Sequence, residues 1–413
     1  LEFRRVLFRS LSASSVTTPT IQLQGDLNLL NKAQSSYITL ADRDTSGSEV
    51  VYNLTNVGTL NGIPFFSDAA NNSMYTHNVS ATDSTASRNT AYGFVAMDAI
   101  TTGDDNVAVG YRAGSAITGG AQNVFIGKDA GTSLTVGNYN VAIGYEALAT
   151  EDADGFSVAI GRRALKDQNA GADAYNVAVG YHAGENVTTG IQNTLIGGGT
   201  GDSLTIGNNN TVLGYDALAA CIDGDKNTAI GQGALRIYDD GDGNGHNTAI
   251  GANSLGNTTT GEFNTAVGSA TVSAGVLTGD YNVIMGYQAG NQMTSGVYNV
   301  LLGALSGDAI TTAEKNVAIG YGALGTEDTH GKNVAIGDSA LTLLNAGAYG
   351  FNVAVGVEAG KAMTTGVRNT IVGGLAGDAI TTGGYNIAIG YTALGTEDTG
   401  ARSVAIGYAA LGF

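Results

Sequence analysis

Short apolar runs recur along this chain with a period of about 17 residues, separated by polar segments. The phrase Asn-x-Ala-(Ile/Val)-Gly, or a close variant, occurs nineteen times, first at 89–93 and last at 403–407. Asn begins every copy except those at Ser157 and Ser403, and Gly ends every copy. Most intervals are 17 residues, and the longer ones are 18, 19 or 20. A fixed period this short predicts a solenoid, in which each copy forms one coil stacked on the previous coil.

Within one coil, the phrase predicts a short β-strand that is apolar on both faces. In the coil that begins at Asn316, Val317 and Ile319 lie on one face and Ala318 on the other. A strand of this kind is typically buried on both faces. One face can line the inside of the coil, and we expect other copies of the chain to cover the second. Ala and Leu at the eighth and ninth positions, as at Ala147 and Leu148, predict a second short inner strand.

The first and fifth positions predict a structural ladder along the stack. Gly at the fifth position allows positive φ or a very close approach of two backbones. Stacked Asn side chains can hydrogen-bond from coil to coil, as in other regular β stacks. At about 4.8 Å per coil, nineteen coils would span roughly 90 Å. The ladder residues that show the pattern best are Asn106, Gly110, Asn140, Gly144, Asn176, Gly180, Asn316, Gly320, Asn386 and Gly390.

The sequence divides into three segments. Residues 1–10 resemble neither a signal peptide nor the rest of the chain, and the last four back-translate to the end of a common sequencing adapter, so we expect an artefact there. Residues 11–88 lack the repeat and contain β-like runs at 36–40 and 49–54, which predicts a β-rich lead-in or capping region. Residues 89–413 form the repeat array, which we expect to be truncated at its C-terminal end because no capping element follows the last strand.

Composition and charge narrow the possible functions. The chain of 413 residues has 63 Gly but only 2 Pro, so collagen and Pro-rich disorder do not fit. A net charge of −18 without a basic stripe disfavours nucleic acid as a partner. No stretch of eighteen apolar residues occurs, so we expect no membrane insertion. Cys221 is the one cysteine, which excludes a disulfide within the chain.

The repeat resembles those of two groups of surface fibres. Units such as Asn140–Leu148 and Asn386–Leu394 look like repeats of trimeric autotransporter adhesin heads, and still more like the 17-residue repeats of phage tail-fibre proteins. The resemblance covers residues 89–413. It implies a left-handed parallel β-roll with three chains side by side, a homotrimer. The coils here are longer than those of the adhesin heads, and residues 1–413 contain no segment that resembles the stalk or the membrane anchor of that family.

Tyrosines directly after the fifth-position Gly are the first candidate binding residues. Exposed rings in a row could stack on sugars, although packing against a neighbouring coil or chain explains such rings equally well. Besides Tyr408 in the last coil, the candidates for glycan stacking are Tyr111, Tyr145, Tyr181, Tyr215, Tyr287, Tyr321 and Tyr391.

A calcium site is the one cofactor that the sequence suggests. Asp240, Asp242 and Asn244 match the first half of a calcium-binding loop, whose alternating oxygens converge on one cation. The closing Glu is missing because Gly251 stands at that position, and a solvated Gly-Asp turn explains the segment as well. No nucleophile elbow, phosphate loop or paired metal motif occurs, so we expect no enzyme.

Together these features predict an all-β, parallel β-solenoid of about nineteen coils that acts as a structural or adhesive fibre segment. Such a segment would lie outside the cell, on a virion tail or a bacterial surface, and a host-surface glycan or protein would be its receptor. A self-assembling extracellular filament and an ice-binding solenoid are the alternatives. The threonine tracts that could bind ice are interrupted by charged pairs such as Glu327 and Asp328.

Overall fold

The structure is a computed structural model. It describes residues 66–68, 73–75, 85–239, 241, 244–396 and 398–412. All of them belong to one compact unit, Val57–Phe413. The β-like runs expected at 36–40 and 49–54, and the segment 1–10, lie outside the described residues.

Twenty-one strands of three residues each make up the regular structure of the described residues, which contain no helix. The strands are β1 Phe66–Asp68, β2 Ser73–Tyr75, β3 Thr90–Tyr92, β4 Val107–Val109, β5 Val124–Ile126, β6 Val141–Ile143, β7 Val158–Ile160, β8 Val177–Val179, β9 Thr194–Ile196, β10 Thr211–Leu213, β11 Thr228–Ile230, β12 Thr248–Ile250, β13 Thr265–Val267, β14 Val283–Met285, β15 Val300–Leu302, β16 Val317–Ile319, β17 Val334–Ile336, β18 Val353–Val355, β19 Thr370–Val372, β20 Ile387–Ile389 and β21 Val404–Ile406.

Strands β3 to β21 form a single parallel sheet in which each strand pairs with the next one along the chain. The register never slips, so each residue of the phrase lies beside its equivalent, as Val317 lies beside Val334. Strand β2 pairs in parallel with β3, and β1 pairs antiparallel with β2. The chain is therefore an all-β parallel β-solenoid of about nineteen coils, as the repeat predicts.

The interior of each coil is filled by the middle residue of its strand and by two later residues. The middle residue is fully buried in every strand from β3 to β21, whether it is Ala318 or the larger Phe125. The eighth and ninth residues of a coil, such as Ala147 and Leu148, are buried as well. The outer two residues of each strand remain half-buried or exposed in the single chain.

The prediction of a second inner strand at the eighth and ninth positions is wrong. Residues 145–148 form turns, and the backbone alternates into the left-handed region at Glu146 (φ 54°) and Leu148 (φ 50°). Glu146 N–H donates to Lys128 O of the preceding coil, whereas Leu148 N–H donates to Ala164 O of the following coil. Bonds in both directions along the stack hold these residues in place of strand pairing.

The fifth-position glycines meet both conditions under which only Gly fits. Their φ angles lie between 123° and 153°, a region that other residues rarely adopt. A Cβ on Gly144 would also lie 2.3 Å from the carbonyl oxygen of Gly161 in the next coil. The coils can therefore approach to β-sheet distance at this corner because no side chain stands between them.

Candidate functional surface

A buried column of Asn side chains runs through the stack beside the strands. The backbone N–H of Asn106 donates to Oδ1 of Asn89, and the N–H of Asn140 donates to Oδ1 of Asn123, at 2.9 and 2.8 Å. The same bond joins Asn386 to Asn369 at 2.9 Å. The Asn106 amide also donates to Gly120 O at 2.8 Å, which closes the loop of its own coil. These hydrogen bonds lie inside the protein, so the column positions the surface; within the column, Asn227 Nδ2 is buried without a hydrogen-bond partner among the described residues.

Ser157 takes the place of an asparagine in this column, and the side chain of Gln168 bonds to it. Gln168 Nε2 donates to Ser157 Oγ at 2.9 Å, and Gln168 Oε1 accepts from Asn176 Nδ2 at 2.8 Å. The buried Gln168 side chain also donates to Glu151. A glutamine from the turn thus supplies a side-chain amide where the column has a serine in place of an asparagine.

The outer face of the sheet is a long apolar surface without charge. It consists of the second and fourth residues of each coil, which are the first and last residues of β3 to β21. The second residue is Val, Thr or Ile, and the fourth is Val, Ile, Leu, Met or, in one coil, Tyr92. All of them are half-buried or exposed in the single chain, with Ile319 half-buried and Ile389 exposed. Monomeric soluble proteins rarely expose a contiguous apolar patch of this length.

The tyrosines at the sixth position are exposed, from 37% for Tyr145 to 80% for Tyr408. Their spacing leaves most of them apart from one another, because they occupy mainly every second coil. Arg162 lies over the rings of Tyr145 and Tyr181, with its Cζ 5.7 and 5.4 Å from the ring centroids. Tyr215 lies against Gly198 of the preceding coil. Only Tyr391 and Tyr408 stack on each other, with centroids 5.9 Å apart.

A second exposed column, which sequence reasoning missed, consists of the residue directly before the phrase in each coil; we call it the pre-Asn column. All nineteen of its residues adopt left-handed φ, between 48° and 67°. Its aromatic members stack from coil to coil: Tyr281 lies 5.0 Å from Phe263 and 5.2 Å from Tyr298 between ring centroids. A second such group is centred on Phe156, whose ring centroid lies 4.9 Å from that of Tyr139 and 5.0 Å from that of Tyr175.

Residues of the pre-Asn column could have been found from the sequence by aligning the coils. None of them is Gly, although Gly is the residue that adopts left-handed φ without cost. The column instead holds eight Tyr or Phe, six Lys or Arg and one carboxylate, Asp105. The members are Arg88, Asp105, Gln122, Tyr139, Phe156, Tyr175, Gln192, Asn209, Lys226, His246, Phe263, Tyr281, Tyr298, Lys315, Lys332, Phe351, Arg368, Tyr385 and Arg402.

Two of the three residues of the calcium candidate, Asp240 and Asp242, lie outside the described residues. The third is placed in the stack: Asn244 O accepts the backbone N–H of Asp225 at 3.1 Å. Beside this loop the carboxyl groups of Asp223 and Asp239 face each other on adjacent coils. Burial, and then the hydrogen bond with Asp239, raise the pKa of Asp223. Calcium at 240–244 stays a prediction.

Two further groups combine His with carboxylates. In the first, Glu185 already bonds two partners, His182 Nδ1 and Arg163, both at 2.8 Å, and Asp202 lies nearby. In the second, Glu327, Asp328 and His330 lie together in one turn. An ion-pair network accounts for the first group, because Arg163 supplies the positive charge that a metal would bring.

Glu327 stands at a position of the coil that is usually apolar, and it is fully buried. Its two carboxyl oxygens accept the backbone N–H groups of His330, at 3.0 Å, and Ala346, at 3.4 Å. Burial raises the pKa of Glu327 to about 7, more than these hydrogen bonds lower it. Glu151 occupies the same position in its own coil and accepts the N–H of Asp154 at 3.1 Å, and burial raises its pKa too.

A comparison with models of known protein families finds no match to this chain, and a comparison with curated proteins finds none either. Among the described residues, no helix has the length and apolar character needed to cross a membrane. The repeat geometry and the surfaces described above are therefore the basis for assigning a function.

Proposed function

We propose that this chain is a structural and adhesive fibre segment that works as a homotrimer. The observation that carries the proposal is the outer face, which follows nineteen strands with apolar residues and threonines but no charge, and which is left uncovered by the chain itself. Burial of such a surface is the dominant favourable term in protein association. A second copy can bury it without breaking any hydrogen bond, because the strands are already paired within their own chain.

Copies of the same chain are the partners that fit this face best. Each copy carries a net charge of −18, so contact between the acidic parts of two surfaces brings like charges together. The outer face avoids that repulsion because its two residue columns have no charged member. Three faces packed around a common axis would form a closed, symmetric assembly that leaves no face uncovered.

Adhesion follows from repetition in such an assembly. Exposed tyrosines at the sixth position recur along the stack, and three chains would present three such rows. Many weak contacts on a rigid support raise the overall affinity by a factor of about 10² to 10⁴ over one contact. We place the segment outside the cell, on a virion tail or a bacterial surface, where it would meet a glycan or protein receptor, and we assign it no catalysis.

The ice-binding alternative has less support from the threonine tracts. The hydroxyl of Thr101 donates to Thr118 O at 3.0 Å, and that of Thr311 donates to Asp328 O at 2.8 Å. Hydroxyls that bond the next coil are not free to order water.

Charge placed on the outer face tests the proposal. We expect the double variant Ile319→Lys and Ile336→Lys to lower the fraction of trimer at micromolar concentration by tenfold or more, because six ammonium groups would be buried together. Sedimentation velocity measures this fraction, and electron microscopy measures particle length. The matched control is Thr312→Lys with Thr382→Lys, which adds the same charge at exposed loop positions. Equal effects of the two pairs, or none of the first pair, would count against the outer face as the interface.

A further inference from the structure

Five successive residues of the pre-Asn column alternate strictly between cation and ring. They are Lys332, Phe351, Arg368, Tyr385 and Arg402, one in each of five consecutive coils. Arg368 Cζ lies 5.9 Å from the Phe351 centroid and 5.2 Å from the Tyr385 centroid. Arg402 Cζ lies 5.7 Å from the other side of the Tyr385 ring. We call these five residues the cationic strip.

The strip is exposed and retains positive charge. Phe351 and Tyr385 are each 48% exposed, and both arginines are exposed. Within the described part of the chain, no carboxylate lies within ion-pair distance of Arg368 or Arg402, whereas Lys332 has Glu314 at 3.9 Å. On a chain with net charge −18, the two arginines without a carboxylate at ion-pair distance form a local positive surface that attracts anions.

The backbone gives a second reason to treat these side chains as selected. Each of the five residues has left-handed φ, between 48° and 67°, which costs a residue with a Cβ about 1 kcal/mol. Glycine would avoid that cost at every one of them. Stacking of cations on rings offsets part of this conformational cost. Stacking alone does not explain why carboxylates are nearly absent, since the column holds six of the 18 Lys and Arg but only one of the 36 Asp and Glu.

The geometry of the strip selects a periodic anion that binds at its edge. Both faces of Phe351 and of Tyr385 are covered by cations, so neither a nucleic-acid base nor a sugar ring can stack there. The guanidinium groups and the Tyr385 hydroxyl remain at the surface, and Arg368 donates to that hydroxyl. Cations recur every second coil, at about twice the 4.8 Å strand spacing, which is close to the length of a disaccharide.

We propose that the cationic strip binds an acidic polysaccharide laid along the stack. Each carboxylate or sulfate of the polymer would accept hydrogen bonds from one guanidinium, and intervening sugar hydroxyls would bond the Tyr385 hydroxyl. The proposal deepens the attachment role proposed above, and rests on it, by assigning the chemical class of one receptor. The site differs from the sixth-position tyrosines, which lie on the other side of the strand in sequence.

Binding of the full chain to immobilised polygalacturonate tests the strip, with neutral dextran and oligothymidylate as comparison probes. We expect the wild-type chain to bind polygalacturonate at low salt and to bind dextran at least tenfold more weakly. The double variant Arg368→Gln and Arg402→Gln should lose tenfold or more in affinity. Arg368→Lys with Arg402→Lys, which keeps the charge, should retain most of it.

The control variant is Arg236→Gln with Lys361→Gln, which removes the same charge outside the column. Equal losses in the control and the strip variant, or unchanged binding in the strip variant, would overturn the proposal. Oligothymidylate binding as tight as polygalacturonate binding would overturn the assignment to a polysaccharide. Sedimentation mass measured on the same samples separates this test from that of the fibre role. If the wild-type chain binds polygalacturonate as a monomer, the proposal for the strip is supported and the proposal of a trimer is refuted.

Discussion

At the scale of single residues, the fold depends on the close approach of coils at the fifth-position glycines. This requirement can be read from the sequence because a residue that recurs without exception at one position of nineteen coils points to a backbone demand. The structure adds which demand it is. Positive φ and contact with the next carbonyl occur together, as at Gly144.

We expect Gly144→Ala to lower the free energy of unfolding by about 4 kcal/mol or more, because the new Cβ must displace a paired backbone. The matched control is Gly171→Ala, since Gly171 has φ 69° but no atom within 4 Å of its added Cβ. That variant should cost only about 1 kcal/mol. Denaturant unfolding followed by circular dichroism compares the two, and equal costs would contradict the claim that the close approach of the next coil makes glycine necessary at Gly144.

Core packing within a coil was not predicted, although the sequence contains its signature. Phe125 fills the interior of its coil, and the ninth position of that coil is Gly131, where a Cβ would lie 2.3 Å from the Phe125 ring. Where the strand carries Ala142, the ninth position is the larger Leu148. In these two coils a large side chain at one position meets a small residue at the other, whereas the coil that begins at Asn106 has Ala108 and Gly114, and the Phe125 ring of the next coil lies beside Gly114. This packing depends on which positions face each other, and a sequence pattern alone does not give that pairing.

At the scale of one element, the turns are where sequence reasoning failed. Apolar Ala147 and Leu148 suggested a strand, since periodicity reports burial and not backbone conformation. Both are buried, but in a turn that bonds the coils on either side. The rings and cations of the pre-Asn column were missed for a related reason: they share a position in the coil and left-handed φ but no residue type.

The turn at Glu327 makes the stability of its coil depend on pH. The pKa of Glu327 is raised by burial from 4.5 to about 7, so the folded state binds more protons than the unfolded state between those values. The free energy of unfolding therefore falls as pH rises from about 4.5 to about 7, by roughly 3 kcal/mol for this group. Half-buried Asp308 and buried Glu151, with pKa values raised by burial, contribute in the same direction.

We expect Glu327→Gln to remove this share of the pH dependence and to raise the thermal midpoint at pH 8 more than at pH 5, because Gln carries no charge to desolvate. Gln168 shows that the same position of a coil accepts the amide. The control is Asp338→Asn, which removes a charge from an exposed position. Melting curves across pH 4 to 8 for the three chains provide the measurement, and a shift independent of pH would argue against a raised pKa.

At the scale of the whole molecule, the solenoid was predictable because every coil repeats the same sequence pattern. An apolar middle residue occurs in all nineteen strands, so chance matches at single positions do not mislead. One chain does not cover its own outer face, because the residues at the second and fourth positions of each coil are partly exposed in the single copy. The two apolar faces predicted from the sequence and the exposed face seen in the structure thus raise the same question, namely whether other copies of the chain cover the outer face.

The mass of the unmodified chain in solution tests the central claim most directly. Sedimentation equilibrium at micromolar concentration should give the mass of three chains, held together because the uncharged outer face is buried between copies. Adding salt should not dissociate this particle, since apolar contact is not screened. A single species with the mass of one chain under these conditions would contradict the account, because the long apolar face would then be stable in water.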